Sequence, residues 1–268
     1  MTTFRVPTKI GQRVVARTPM LLAVLVLVTV GARADDIVTH WNKVMLKTVA
    51  AGATNPIVST RVMAIVQASV FDSVNGIQHK YTQIHADIPA PPGASIPAAV
   101  IESAYTALVA LYPDQKAALD AERASSLAKL HVSPNSILLG QQFGKLVAND
   151  ILTWRSTDGF ATVLPPYLGG TDIGEWRPTP PDFSPGAAQQ FATMTPWSIR
   201  SPSQFRPAGP PSLSSDEYAA AFNEVKTWGR AADSPRSLDQ TLLAVFWAGN
   251  TLLTGTELPA SLSTIIVN

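Results

Sequence analysis

Apolar residues recur at helical intervals through the first half of this chain. From Ile37 to about Ala51, Trp41, Val44, Met45 and Val49 fall on one side of a 3.6-residue period, with Gly52 and Pro56 ending the segment. The next stretch, "VSTRVMAIVQASVFDSVNGI", is the clearest helix. Val62, Ile65, Val66, Val70, Val74 and Ile77 make its stripe, and Asn75-Gly76 predicts a left-handed stop. Ala64, Ala68 and Ser69 are small enough to let another helix approach closely. After the loop "ADIPAPPGASIP", Ala98–Leu111 repeats the pattern through Ile101, Ala104, Tyr105, Leu108 and Val109. Pro113 opens another helix, because its missing N–H costs nothing in a first turn. Ser133-Pro134 acts as cap and first position for Ile137–Trp154, whose apolar face is Leu138, Phe143, Val147 and Ile151. No run alternates with the period of a strand, so this half is all-α.

The pattern breaks between Ala161 and Leu213. Half of the chain's 22 prolines fall there, and each removes a donor and restricts its predecessor, so long helices are not expected. Tyr167, Trp176, Phe183, Phe191, Trp197 and Phe205 are scattered through the same stretch, whereas disordered linkers are poor in aromatics. The segment therefore reads as a long ordered loop laid over the helices, with Trp176, Trp197, Phe205 and the later Trp228 filling core rather than binding a cofactor. Helices then resume. "SSDEYAAAFNEVKTWG" opens with a capping box from Ser214 to Glu217, carries Phe222, Val225 and Trp228 on one face, and closes at Gly229. "SLDQTLLAVFWAG" repeats the device from Ser237 to Gln240, with Leu242, Val245 and Phe246 as its face and Gly249 as its stop.

Composition narrows the chemistry. Net charge is +1 over 268 residues, which implies no general attraction to nucleic acid or to an anionic membrane. The absence of cysteine excludes disulfides, thiolate zinc sites and a cysteine nucleophile. The four histidines, His40, His79, His85 and His131, include no i,i+4 pair and no HExxH. At the N-terminus, Lys9, Arg13 and Arg17 precede the apolar run Leu21–Val30, and Ala32–Ala34 reads "ARA". These are the parts of a secretory signal over residues 1–34. An uncleaved anchor is the other reading, although about ten residues are short for a bilayer. The expected product begins at Asp35, has no membrane span after cleavage, and is secreted or periplasmic.

A few polar side chains warrant individual readings. Asp36 lies four residues before His40, which fits an oriented imidazole or a plain helix-surface contact. His79 and His85 sit near Asp87, in a weak metal site or a solvated loop. Asp72, inside an apolar helix, predicts a buried partner for Arg61 or Arg155 in a structural role, because a lone acid supplies neither nucleophile nor second acid. Arg155 and Asp158 flank the turn in "WRSTDG" and fix that corner.

Six segments in order carry a family resemblance: "DIVTHWNKVMLKTVAAG", "STRVMAIVQASVFDSVNGI", "WRSTDG", "GEWRPTPPDFSP", "TPWSIRSPSQFRPAGPPSLSSDEYAAAFNEVKTWG" and "RSLDQTLLAVFWAG". Together they cover nearly all of Asp35–Gly249. The chain resembles the N-terminal half of bacterial vanadium-dependent haloperoxidase-like proteins, in the superfamily shared with type-2 phosphatidic acid phosphatases. The resemblance implies a large all-α bundle whose intact form cradles vanadate or phosphate with lysine, arginine and backbone N–H groups, plus one axial and one acid–base histidine. Its reactions would be halide oxidation by peroxide at bound vanadate, or phosphomonoester hydrolysis. The motifs that carry that site do not map here. No Ser-Gly-His occurs, and no histidine follows His131. Arg177-Pro178 and Arg206-Pro207 match the family's structural "WRPTPP" and "SQFRP", not its oxyanion arginine. No catalytic, cofactor-binding or metal residue is therefore assigned, and no cofactor is expected in this chain.

Where the family continues with something like "TPPGHWNRIA", this chain reads "TLLTGTELPAS". The codons open to Thr251–Leu258 permit, in a shifted frame, a run containing Trp-Asn-Arg. The tail over 251–268 then reads as out-of-frame translation beginning near Asn250–Thr251; otherwise it is a native end whose strand is "LSTIIVN". The expected architecture is an incomplete helical bundle over residues 35–250 with a long proline- and aromatic-rich loop. Two functions follow. One is an exported, truncated superfamily member that lacks the oxyanion site and is inactive alone. The other is a non-catalytic helical module that binds a partner or self-associates through exposed helix faces.

Overall fold

The computed structural model describes residues 36–180, 182–230 and 232–248, with the side chains of 245–248 outside that description. The expected signal peptide, the tail over 251–268, Val245, Phe246 and Gly249 all lie outside the described residues or side chains. Among the described residues there are seven α-helices: α1 Ile37–Ala51, α2 Pro56–Gln78, α3 Ile96–Leu111, α4 Lys116–Ala128, α5 Pro134–Ser156, α6 Asp216–Trp228 and α7 Leu238–Ala248. Short 3-10 turns cover Pro113–Gln115 and Gln189–Ala192. Strand pairing among these residues amounts to one isolated bridge, Tyr167 to Gly186. The fold is all-α, as the periodicity predicts.

Helix α3 is the centre. It packs most heavily on α5, then on α2, α4 and α1. Ala98, Ala99, Val100, Ile101, Ala104, Ala107 and Leu108 are all fully buried, so α3 is enclosed nearly all round rather than amphipathic. Its small residues set the spacing to α5. A Cβ built on Gly140 would lie 2.4 Å from Ser95 O, and one on Gly144 2.4 Å from Ala99 O. Bare glycine lets the two backbones touch. Around this contact Trp41, Met45, Ile65, Val66, Phe143, Val147 and Ile151 complete one core, each fully buried side chain contributing roughly 1.5–3 kcal/mol. By length and composition α2 could cross a bilayer, but half of its apolar window is buried inside the protein.

Several element ends depart from the sequence reading. Pro56 starts α2 instead of merely ending α1: Asn55 Oδ1 accepts from Ile57 N at 2.9 Å, and the proline occupies the first turn. Gly76 does not stop α2. The helix runs to Gln78, and His79 takes the left-handed position at φ 54°. Gly76 is needed for space, because its Cβ would meet the Phe143 ring at 2.7 Å. Asn75 stabilises the exit through its side chain, accepting from Lys80 N and Tyr81 N and donating to Tyr81 O. Helix α3 begins at Ile96, capped by Ser95. Pro113 opens a 3-10 turn, and α4 proper starts at Lys116. Ser133 caps α5 as expected, but Leu138 is exposed, displaced from the buried face that Phe143, Val147 and Ile151 share with Gly140 and Gly144. In α6 the cap is Ser215, not Ser214; it accepts from Tyr218 N, which leaves Glu217 in the first turn without a reciprocal role. The box at α7 holds: Ser237 N donates to Gln240 Oε1 and Gln240 N donates to Ser237 Oγ.

The proline-rich segment divides in two. Its stretch at Met194–Trp197 packs on the helices: Met194 is buried, and Trp197 packs against the core. The stretch before it is mostly exposed from residue 161 onward; there Tyr167 stacks on Trp176 at 5.4 Å, yet both stay about half exposed. Trp176, Phe205 and Trp228 therefore do not fill core; only Trp197 of the four does. Periodicity cannot separate an aromatic stacked on its own loop from one buried under it.

Candidate functional site

The densest polar construction sits where α5 ends. The last turn of α5 places Arg155 against the core, fully buried. Gly159, at φ +91°, allows the sharp exit that turns Asp158 back beneath the guanidinium. Arg155 Nε and Nη2 both reach Asp158 Oδ2, at 3.0 and 2.9 Å. Arg61 from α2 donates its Nε to the same oxygen at 2.8 Å and its Nη2 to Arg155 O at 2.7 Å. The other carboxylate oxygen accepts from Phe160 N at 2.9 Å. Arg155 also donates to Thr195 O and Pro196 O, while Thr195 N donates to Asp158 O. One corner thus ties α2, α5 and the returning segment together.

Aromatic rings enclose it. Arg155 lies 4.3 Å from the Trp197 ring and 4.8 Å from that of Trp154, and Arg61 lies 4.4 Å from that of Phe160. Burial works to raise the Asp158 pKa. The Arg61 hydrogen bond, the Phe160 N–H and the two guanidinium charges outweigh burial, and the carboxyl is held below its ordinary value.

Asp72 is the correction here. It is fully buried, but neither arginine is its partner. Its Oδ1 accepts from Ile84 N at 2.7 Å, and its Oδ2 accepts from His85 N and Ala86 N, each at 2.9 Å. Three backbone donors do for Asp72 what a cation does for Asp158, and they fix the loop after α2. That loop sets the His85 ring flat on Trp154, centroids 4.2 Å apart, with Nε2 3.6 Å from Asp150 Oδ2. Trp154 meets Trp197 edge to face at 5.1 Å. His79 is left at the exposed C-cap of α2, apart from this stack. His40 pairs not with Asp36 but with Glu122 of α4, Nε2 to Oε1 at 2.7 Å; its link to Asp36 is the backbone bond of the first turn. The Arg61 bonds to Asp158 and to Arg155 O and the His40–Glu122 contact join residues about 80 to 100 positions apart, beyond the reach of any local spacing rule.

Two open clefts flank this construction. One, of about 460 Å³, runs between the Ala64, Ala68 and Phe71 side of α2 and Ile84, Trp197 and Ser198. The other, of about 430 Å³, lies over the 79–87 loop and is lined by His79, Gln83, His85 and Asp87 among others. Among the described residues no three His, Cys, Asp or Glu side chains gather into a metal-holding group.

An oxyanion such as vanadate needs several cations aimed at one point. The described residues do not fit one. All three guanidinium nitrogens of Arg155 are engaged by Asp158 and carbonyl oxygens. Arg61 faces the same carboxylate. Arg177 is turned onto Thr171 O and Asp172 O, and Arg206 is exposed.

No protein-family model matches the chain, and no curated protein does. A solved structure described as the first bacterial vanadium-dependent iodoperoxidase is similar in fold, with a TM-score of 0.67 at 20% identity over 82% of this chain and 57% of that one. The chain thus spans a little over half the length of that protein, and the two share an all-α fold.

Proposed function

We propose that residues 35–250 are the N-terminal scaffold of an exported member of the vanadium-dependent haloperoxidase and acid phosphatase superfamily, and that this chain alone lacks the oxyanion site and is inactive. In the intact relatives, vanadate would supply the peroxide-activating centre, or phosphate would occupy the same cradle as substrate. The observation that carries the reading is the fold likeness, which takes in four-fifths of this chain but little more than half of the iodoperoxidase. Two features support it. The guanidiniums of Arg155 and Arg61 are engaged by Asp158 and carbonyls, and His40 and His85 are taken up by separate carboxylates, Glu122 and Asp150. The test is turnover of a chromogenic phosphomonoester, and of iodide with peroxide, with and without orthovanadate. The expected result is no vanadate-dependent halide oxidation and no vanadate-sensitive hydrolysis; robust turnover of either kind overturns the proposal.

A second reading, a non-catalytic helical module that self-associates, is favoured by a different observation. Helix α6 presents Phe222, Val225 and Trp228 at 57, 71 and 43% exposure, and neither α6 nor α7 packs substantially on α1–α5.

A further inference from the structure

We propose that Asn75-Gly76 is a guarded deamidation site, inert while the loop after α2 is latched and reactive only when that latch opens. It is the one Asn-Gly pair in the chain. Glycine puts no Cβ beside its own backbone nitrogen, so in an open chain that nitrogen attacks the preceding side-chain amide with little hindrance. The chemistry needs only water. Gly76 N bonds to Asn75 Cγ, the Cγ–Nδ2 bond breaks, and ammonia leaves with the proton lost from Gly76 N. Water then opens the five-membered imide at either carbonyl carbon, which leaves aspartate or isoaspartate at position 75.

The fold blocks each requirement. Ring closure needs a ψ far from the helical value of about −42°. Both residues lie inside α2, whose ladder gives Gly76 N to the carbonyl one turn back. Asn75 is only 4% exposed, and its amide is saturated. Oδ1 accepts from Lys80 N at 3.0 Å and Tyr81 N at 2.8 Å, while Nδ2 donates to Tyr81 O at 2.6 Å and Gln83 Oε1 at 3.0 Å. Turning the amide toward Gly76 N breaks all of these bonds. The guard is nonetheless local. Asn75 opens the last turn of α2, and a glycine in that turn favours fraying. Asn75 also lines the open cleft of about 430 Å³ over the loop, so water is at hand once the side chain turns out. The product cannot latch again. Aspartate offers acceptors where the amide had donors, and Tyr81 O faces them. Isoaspartate adds a backbone carbon beside Gly76, where even a Cβ would meet the Phe143 ring at 2.7 Å. Deamidation thus releases Lys80 to Gln83 irreversibly, at the start of the loop that seats His85 on Trp154.

The test ages the full-length chain in mildly alkaline buffer, folded and in strong urea, and follows aspartate and isoaspartate at position 75 by peptide mass spectrometry. The folded chain should react about ten- to a hundredfold more slowly than the unfolded one, the range of a local opening. Below the unfolding transition that rate should hardly change with urea, because a local opening exposes little surface. Gln83→Ala, checked for parental circular dichroism, should raise the folded rate several-fold and leave the unfolded rate alone. Gln83→Glu keeps an acceptor for Nδ2 and should stay near the parent. Asn75→Asp, made directly, should speed amide exchange across 80–83 several-fold while α3 stays protected. Equal rates in the folded and unfolded chains overturn the proposal. So does a folded chain without product once the unfolded control is complete, or a folded rate that climbs with urea in step with global unfolding. A Gln83→Ala rate equal to the parent's, or unchanged exchange in Asn75→Asp, removes the latch and the proposal with it.

Discussion

Asp158 and Asp72 are both buried carboxylates, satisfied by opposite means, and they predict different failures. Asp158 neutralises a fully buried arginine. Asp158→Ala should cost about 3–5 kcal/mol in urea unfolding, because Arg155 keeps its charge without a counter-ion. The pH dependence follows from the lowered folded pKa. Its stabilisation is fully present above the unfolded-chain carboxylate value near 4 and is lost as the pH falls from there through the lower folded value. Asp158→Asn should therefore flatten the acid limb of a stability-versus-pH curve, while a limb unchanged by the substitution would mean other carboxylates control it. Asp72 instead accepts three backbone N–H groups. Asp72→Asn turns a donor toward donors, and should cost about 1–3 kcal/mol. Amide exchange at Ile84, His85 and Ala86 should rise well beyond that of α3. The "WRSTDG" corner was legible because Arg155 and Asp158 are three residues apart. The role of Asp72 was not, because backbone donors leave no mark in a sequence.

At the scale of elements, spacing located helices well and their contacts poorly. Helices α1, α5 and α7 lie close to where periodicity and cap residues put them, since those signals are local. The α3–α5 crossing rests on two glycines that read as neutral in a helical stretch. Gly144→Ala separates the two accounts. Helix propensity alone favours alanine by about 1 kcal/mol. The crossing opposes it, because the new Cβ would sit 2.4 Å from Ala99 O, a backbone atom that cannot swing away. The expected outcome is net destabilisation of about 1–3 kcal/mol, seen as a lower unfolding midpoint; a variant as stable as the parent would mean that α5 shifts freely over α3. The same blindness explains Leu138 and Gly76. One was assigned to the core and the other to a helix stop, and both assignments failed for want of knowing which neighbour each residue meets.

For the whole molecule, stability should be graded along the chain rather than uniform. Helices α2, α3 and α5 share one core, so their slowest amides should exchange through a single global opening and respond alike to denaturant. The arm from about 163 to 187 is held mainly by contacts within itself: the Tyr167–Gly186 bridge, the bond from Gly170 N to Trp176 O, the Arg177 bonds to Thr171 O and Asp172 O and the Tyr167–Trp176 stack, with Gln189 Nε2 donating to Pro165 O. Val163, Leu168 and Ile173 stand exposed along it. Its amides should exchange within seconds to minutes. Protection should then resume abruptly at Thr195, whose N–H is given to Asp158 O and whose carbonyl is held by Arg155. Exchange followed by mass spectrometry on peptides spanning 160–200 reads this directly. A protected arm would mean that its aromatics are covered by something beyond these contacts. An unprotected Thr195 would mean that the Arg155–Asp158 corner does not close the returning segment onto α5, and the construction that joins α2, α5 and that segment would lose its keystone.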